Sequence, residues 1–200
     1  MAAPIDFYFD FSSPYGYFAA KKIDELAARH KREVNWRPFL LGAVFKITKM
    51  QPLVDYPIKS DYMKRDWARF ARLLGVPFKL PEVFPFAGVT ASRLFYWLNG
   101  RDAELARNFA RRAFHAAFGE GRDIVSIPAL TALAEPLGVP PGDLIAANSD
   151  PAVKEQLRAE VEAAIARGVF GSPYVMVDGE PFWGADRLDQ VDGWLATGGW

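Results

Sequence analysis

Strand-forming sequence stands only at the two ends of this 200-residue chain, with long helical patterns between them. Near the start, residues 5–11 set aromatic and aliphatic side chains around Asp6 and Asp10, the pattern of a mostly buried strand. A helix is predicted over 14–30, where Tyr17, Phe18, Ala20, Ile23, Leu26 and Ala27 recur at helical spacing. Residues 34–40 alternate Val34, Trp36 and Pro38 with Asn35 and Arg37, and the proline suits a strand end or an edge. Past Gly168 come a strand over 174–177, an Asp178-Gly179 hairpin turn, a strand over 181–183 and a terminal helix over 186–196.

The middle of the chain reads as helices broken by Pro and Gly, at 59–74, 90–98, 102–118, 127–137, 142–148 and 152–167. Ser126 before Ile127-Pro128 and Asp150 before Pro151 each set a side-chain acceptor ahead of a first-turn proline. Gly75, Gly119, Gly138 and Gly168 supply stops. Half of the residues are hydrophobic and about a quarter are charged, so a chain of this length can bury a core without metal or disulfide. There is no cysteine, which excludes disulfides, thiolate metal sites and any thiol redox cycle run by the protein itself.

The 24 basic residues balance 24 acidic ones, so no global field would hold nucleic acid or an anionic membrane. No apolar run nears the roughly 20 residues that span a bilayer, and residues 1–6 lack the features of a signal peptide. The expected location is the cytoplasm.

Two short stretches could carry chemistry. Within Phe9-Asp10-Phe11-Ser12-Ser13-Pro14-Tyr15-Gly16, a serine N-cap and a first-turn proline are a sufficient local explanation of Ser13-Pro14. The same geometry aims backbone N–H groups and the positive end of a helix dipole at whatever lies beside Ser13. Gly171-Ser172-Pro173 reads alone as an ordinary turn. A cis peptide before Pro173 would instead expose the N–H and C=O of Ser172 to an extended, peptide-like ligand.

The order strand-helix-strand, helical block, hairpin and helix is that of a thioredoxin-like α/β domain, residues 1–42 and 168–200, interrupted by a helical insertion over 43–167. Ser13 and Gly16 then stand where that fold carries a thiol pair, with Pro173 facing them.

Over essentially its full length the chain resembles the family of 2-hydroxychromene-2-carboxylate isomerases and kappa-class glutathione transferases, related in fold to the DsbA disulfide oxidoreductases. The likeness rests on four ordered stretches: Phe9 to Pro14, Lys59 to Asp66, Val169 to Pro173 and Phe182 to Leu188. The resemblance implies glutathione as cofactor, with the hydroxyl of Ser13, the catalytic residue, on its sulfur. By the same likeness Ser172, just before Pro173, takes the cysteinyl backbone, and Asp186 with the backbone around Ala185 takes the γ-glutamyl end. Lys59 and Asp66 fall at the glutathione and substrate edge. A homodimer is implied too.

Two positions depart from the family pattern. Met50 stands where an asparagine commonly contacts glutathione, and Ala185 replaces a frequent serine or asparagine. Each removes a side-chain hydrogen bond worth roughly 0.5–1.5 kcal/mol.

The physical case for Ser13 stands beside the likeness. A free thiol with a pKa near 8.5 is about a tenth or less ionised at neutral pH, and a hydroxyl donor at a helix N-terminus favours the thiolate. Serine can hold a ligand's sulfur without forming a mixed disulfide. A serine nucleophile with a histidine base is disfavoured, because only His30 and His115 exist and both read as structural or surface groups. Phe84-Pro85-Phe86 with Phe95, Tyr96 and Trp97 could line an aromatic pocket, although core packing is the plainer reading. No carboxylate spacing suggests a metal site.

The expectation is a glutathione-dependent isomerase of a small bicyclic aromatic acid, the 2-hydroxychromene-2-carboxylate type, working by reversible thiolate addition. The alternatives are a kappa-like transferase or peroxidase that consumes glutathione, and a non-catalytic thioredoxin-fold protein that binds an extended partner at the Pro173 edge.

Overall fold

The computed structural model describes residues 3–200. Strand β1 (Ile5–Phe9) leads through α1 (Pro14–Ala20) and α2 (Ile23–Arg29) to β2 (Val34–Pro38). A helical block follows: α3 (Leu41–Thr48), α4 (Lys59–Leu74), α5 (Val89–Asn99), α6 (Ala103–Phe114), α7 (Ile127–Ala134), α8 (Pro141–Ser149) and α9 (Pro151–Ala166). The hairpin β3 (Tyr174–Val177) and β4 (Glu180–Trp183) and the final helix α10 (Leu188–Thr197) complete the chain. The sheet order is β2-β1-β3-β4, with β1 and β2 parallel and the other pairs antiparallel. Phe7 lies opposite Trp36 on one side and Val175 on the other, so residues from both ends of the sequence meet across β1. Pro38 and Pro181 fall on edge strands, where a missing N–H breaks no interior ladder.

Local chemistry explains most boundaries. Gly75 ends α4 in the left-handed conformation. Asp150 accepts the Ala152 N–H at 2.8 Å to cap α9, and Asp102 accepts those of Glu104 and Leu105 at 2.8 and 3.1 Å to cap α6.

Four expectations need correcting. The helix predicted over 14–30 is two, because Lys21 and Lys22 donate back only three residues, to Phe18 O and Ala19 O, in a tight turn that re-aims the chain. The strand predicted to reach residue 11 ends at Phe9, where the Asp10 side chain folds the backbone into a turn. Ser126 does not cap α7; its hydroxyl donates to Asp123 at 2.6 Å. The helix predicted over 102–118 does end at Gly119, but its last five residues, His115–Gly119, form a π turn rather than α-helix, and Gly121 at φ +72° redirects the chain.

The core is continuous from sheet to helices. Phe9 is fully buried, with ring centroids 5.2 Å from Phe7, 5.4 Å from Trp36, 6.0 Å from Phe95 on α5 and 5.4 Å from Phe114 on α6. Tyr17, Phe18, Phe70, Phe78 and Phe118 extend this aromatic packing towards one end of the sheet. Among the described residues no helix is long and apolar enough to cross a membrane.

Asp6 is the buried acid of β1. It accepts from Asn35 at 3.1 Å, Arg37 at 2.8 Å and Arg167 at 2.7 Å. Burial pushes its carboxyl up, but the hydrogen bonds from Arg37, Asn35 and Arg167 outweigh this and hold it below its ordinary 3.8. A depressed folded pKa means stabilisation that is present above 3.8 and lost as pH falls through the lower folded value. Asp6→Asn is expected to cost about 2 kcal/mol at neutral pH. Urea unfolding of both proteins should show that difference shrinking between about pH 5 and pH 2.

Candidate active site

At the end of β1 the chain turns into α1, and Ser13 caps that helix. Its Oγ accepts the Gly16 N–H at 3.0 Å, its own N–H donates to Asp10 O at 2.9 Å, and Pro14 occupies the first turn. Asp10 organises the surroundings: Oδ1 accepts both the N–H and the hydroxyl of Ser12 at 2.8 Å, and Oδ2 accepts the Leu41 N–H at the start of α3 at 2.8 Å. Burial pushes the Asp10 carboxyl up, and the donors from Ser12 and Leu41 only partly offset that.

Ser172 arrives from the other end of the chain. The Ser172–Pro173 peptide is cis. The Ser172 Oγ accepts the Asp10 N–H at 2.9 Å, and its carbonyl accepts the Ser13 hydroxyl at 2.9 Å. Gly16 makes this approach feasible: a Cβ there would lie 3.1 Å from Ser172 Oγ and 3.2 Å from Ser13 Cβ. The Ser172 N–H has no hydrogen-bond partner among the described residues.

These groups form the floor of a cleft of about 1160 Å³. Its walls are mostly apolar, from Phe45 on α3, Trp67 and Phe70 on α4, Phe84 and Phe86 on the following loop, and Trp183 at the end of β4. The volume exceeds the usual range for a single small ligand.

Ser13, Asp66, Ser172, Ala185 and Asp186 all line this cleft, as does Met50. Pro173 sits immediately behind Ser172. Lys59 is not part of the lining; it is exposed at the first turn of α4, its ammonium 4.8 Å from the Tyr56 ring centre. The Asp66 carboxylate accepts the Tyr15 hydroxyl and pairs with Arg69 at 2.7 Å. Burial, then the hydrogen bond and charge of Asp66, push the Tyr15 phenol well up, so it acts as a fixed donor. Asp186 pairs with Arg187 at 3.0 Å, and the Ala185 and Asp186 N–H groups have no partner among the described residues.

The histidines stand elsewhere, His30 against Asp192 at 2.7 Å and His115 against Glu120 at 3.5 Å. The Phe84–Phe86 segment lines the cleft whereas Phe95 and Tyr96 are core residues, the Tyr96 hydroxyl donating to Pro38 O at 2.7 Å.

Sequence reasoning missed Asp10, Tyr15 and Lys46. Asp10 and Tyr15 lie inside the motif that was read, so adjacency to Ser13 was the available signal. Lys46 lines the cleft without a carboxylate partner among the described residues, but it sits on α3, which was not predicted.

The chain matches the DSBA-like thioredoxin domain family over residues 4–196. It is 35% identical over 195 residues to a 2-hydroxychromene-2-carboxylate isomerase of Pseudomonas putida, covering 94% of this chain and 92% of that one. It is 30% identical over 205 residues to glutathione S-transferase kappa 2 of Caenorhabditis elegans, covering 96% and 91%. The solved structure of a 2-hydroxychromene-2-carboxylate isomerase superposes with a TM-score of 0.87 at 30% identity, over 96% of this chain and 94% of that one.

Proposed function

This chain belongs to the DSBA-like thioredoxin family and, within it, to the 2-hydroxychromene-2-carboxylate isomerases and kappa-class glutathione transferases, and we propose that it is a glutathione-dependent isomerase. The reaction is interconversion of 2-hydroxychromene-2-carboxylate and trans-o-hydroxybenzylidenepyruvate. The observation that carries the reading is the meeting of the Ser13 hydroxyl, at a helix N-terminus, with the backbone of Ser172 on the floor of a large aromatic cleft.

The residues fit glutathione. The unpartnered N–H and the carbonyl of Ser172 suit a cysteinyl backbone, and the unpartnered N–H groups of Ala185 and Asp186 with the Asp186 carboxylate suit a γ-glutamyl carboxylate and amine. When bound, glutathione would supply the thiol nucleophile for reversible addition to the conjugated side chain of the ring-opened acid. The Ser13 hydroxyl and the positive end of the α1 dipole stabilise negative charge at the sulfur position. Phe84, Phe86 and Trp67 exclude water from the aromatic ring. Among the described residues of the lining, Lys46 is the cation without a carboxylate partner and so is free to meet the substrate carboxylate.

The ultraviolet time course of 2-hydroxychromene-2-carboxylate, with and without glutathione, tests the reading. Conversion that requires glutathione supports it; consumption of glutathione instead favours a transferase. Lys46→Met is expected to raise KM for the acid about tenfold or more while leaving glutathione affinity, measured by calorimetry, within about twofold.

The homodimer implied by family likeness belongs to the same proposal. Ile47 on α3, Ile58 just before α4 and Tyr62 on α4 are 63%, 92% and 58% exposed, apolar side chains that a second copy would cover. Light scattering behind size-exclusion chromatography should give twice the chain mass, and a monomer mass would rule the dimer out.

A further inference from the structure

The Ser13 hydroxyl has one proton, and in this structure that proton is spent on a backbone carbonyl. Oγ donates to Ser172 O at 2.9 Å and accepts the Gly16 N–H at 3.0 Å. The second bond is the α1 cap, so Oγ cannot swing away without uncapping the helix. What can change is the direction of the O–H about the Cβ–Oγ bond. Ser172 is held equally firmly, its Oγ bonded to the Asp10 N–H at 2.9 Å and packed against Gly16. It therefore presents a free N–H and a carbonyl already occupied by the proton that a bound sulfur needs.

We infer that the Ser172 carbonyl is the resting partner of the Ser13 hydroxyl, and that the site selects thiols carrying an adjacent amide N–H because such a group replaces the hydroxyl on the carbonyl and frees it for sulfur. The inference rests on the glutathione reading and names the part of the ligand that readies Ser13. A simple thiol has nothing to offer the carbonyl. Turning the Ser13 O–H towards its sulfur leaves Ser172 O short of a partner, a loss comparable to the bond gained. A peptide thiol avoids that loss. Ionisation of the bound thiol, its proton passing to solvent, is thus coupled to a hydrogen bond made by the ligand backbone.

The test titrates the thiolate absorbance of glutathione bound to the wild-type protein. The comparison is glutathione methylated at the cysteinyl nitrogen, with calorimetry giving each affinity. The ionisation constant of bound glutathione is expected to exceed that of the bound methylated analogue by about tenfold, beyond any difference between the free thiols. Ser13→Ala should abolish that excess. Equal constants for the two bound ligands in the wild-type protein overturn the inference.

Should the analogue bind too weakly to saturate, S-methylglutathione decides, because it has no ionisable thiol to reward the hydroxyl. It is expected to bind Ser13→Ala about threefold tighter than wild type, and equal or weaker binding overturns the inference. Failure of wild-type protein to bind glutathione at all overturns the underlying site reading instead.

Discussion

Ser13→Ala is expected to lower glutathione-dependent turnover by about 10²–10³-fold, the usual effect of removing one preorganised donor from developing charge. Glutathione affinity should fall by less than about tenfold, because the Ser172 N–H and the Ala185–Asp186 turn are untouched. The substitution also removes the α1 cap, since Ser13 Oγ accepts the Gly16 N–H, and stability should drop by about 1 kcal/mol. Ser13→Gly separates the two effects: glycine at an N-cap costs only a few tenths of a kcal/mol, yet it lacks the hydroxyl just as alanine does. Both variants should lose turnover alike, measured by the ultraviolet time course under saturating glutathione. Retained activity in the glycine protein would assign the alanine loss to the helix cap.

Why Ser13 was legible in the sequence and Asp10 was not has a physical answer. A cap serine followed by a first-turn proline is a local signal, and the paired Ser172-Pro173 needed only its position between a helix and a hairpin. Asp10 looked like one more polar residue of an aromatic strand. Its role depends on the Leu41 N–H, 31 residues away, which no local pattern contains. Helix α4 was readable to the residue because it is long, amphipathic and ended by Gly75. Helix α3, by contrast, is eight residues long and lacks a side-chain cap, so Lys46 and its neighbour Phe45 in the cleft wall went unread. Lys59 shows the converse limit: likeness to a family carried it to the cleft, whereas its ammonium lies over Tyr56, outside the lining. The split between α1 and α2 left no trace either, since the apolar spacing runs through Lys21 and Lys22 unbroken.

Phe9→Ala is expected to be the most destabilising of these changes, lowering the unfolding free energy by about 3–5 kcal/mol. That is a large share of the roughly 5–15 kcal/mol available to a domain. The ring is fully buried and contacts β2 through Trp36, α5 through Phe95 and α6 through Phe114. Its loss leaves a void bounded by sheet on one side and helical block on the other, which neither part can fill alone. This placement also bears on the proposed division into residues 1–42 with 168–200 and an insertion over 43–167. The insertion is a unit of chain order, but its aromatic residues complete the core of the sheet, so the two parts are expected to unfold together. Far-ultraviolet circular dichroism reports mainly the helices, and tryptophan fluorescence, with Trp36 on β2 and Trp183 on β4, reports the sheet as well. In guanidinium chloride the two signals should give one coincident transition in wild type, shifted to lower denaturant in Phe9→Ala with its slope unchanged. A helical signal surviving beyond the fluorescence change would mean that the insertion holds itself together, with Phe9 serving only the sheet.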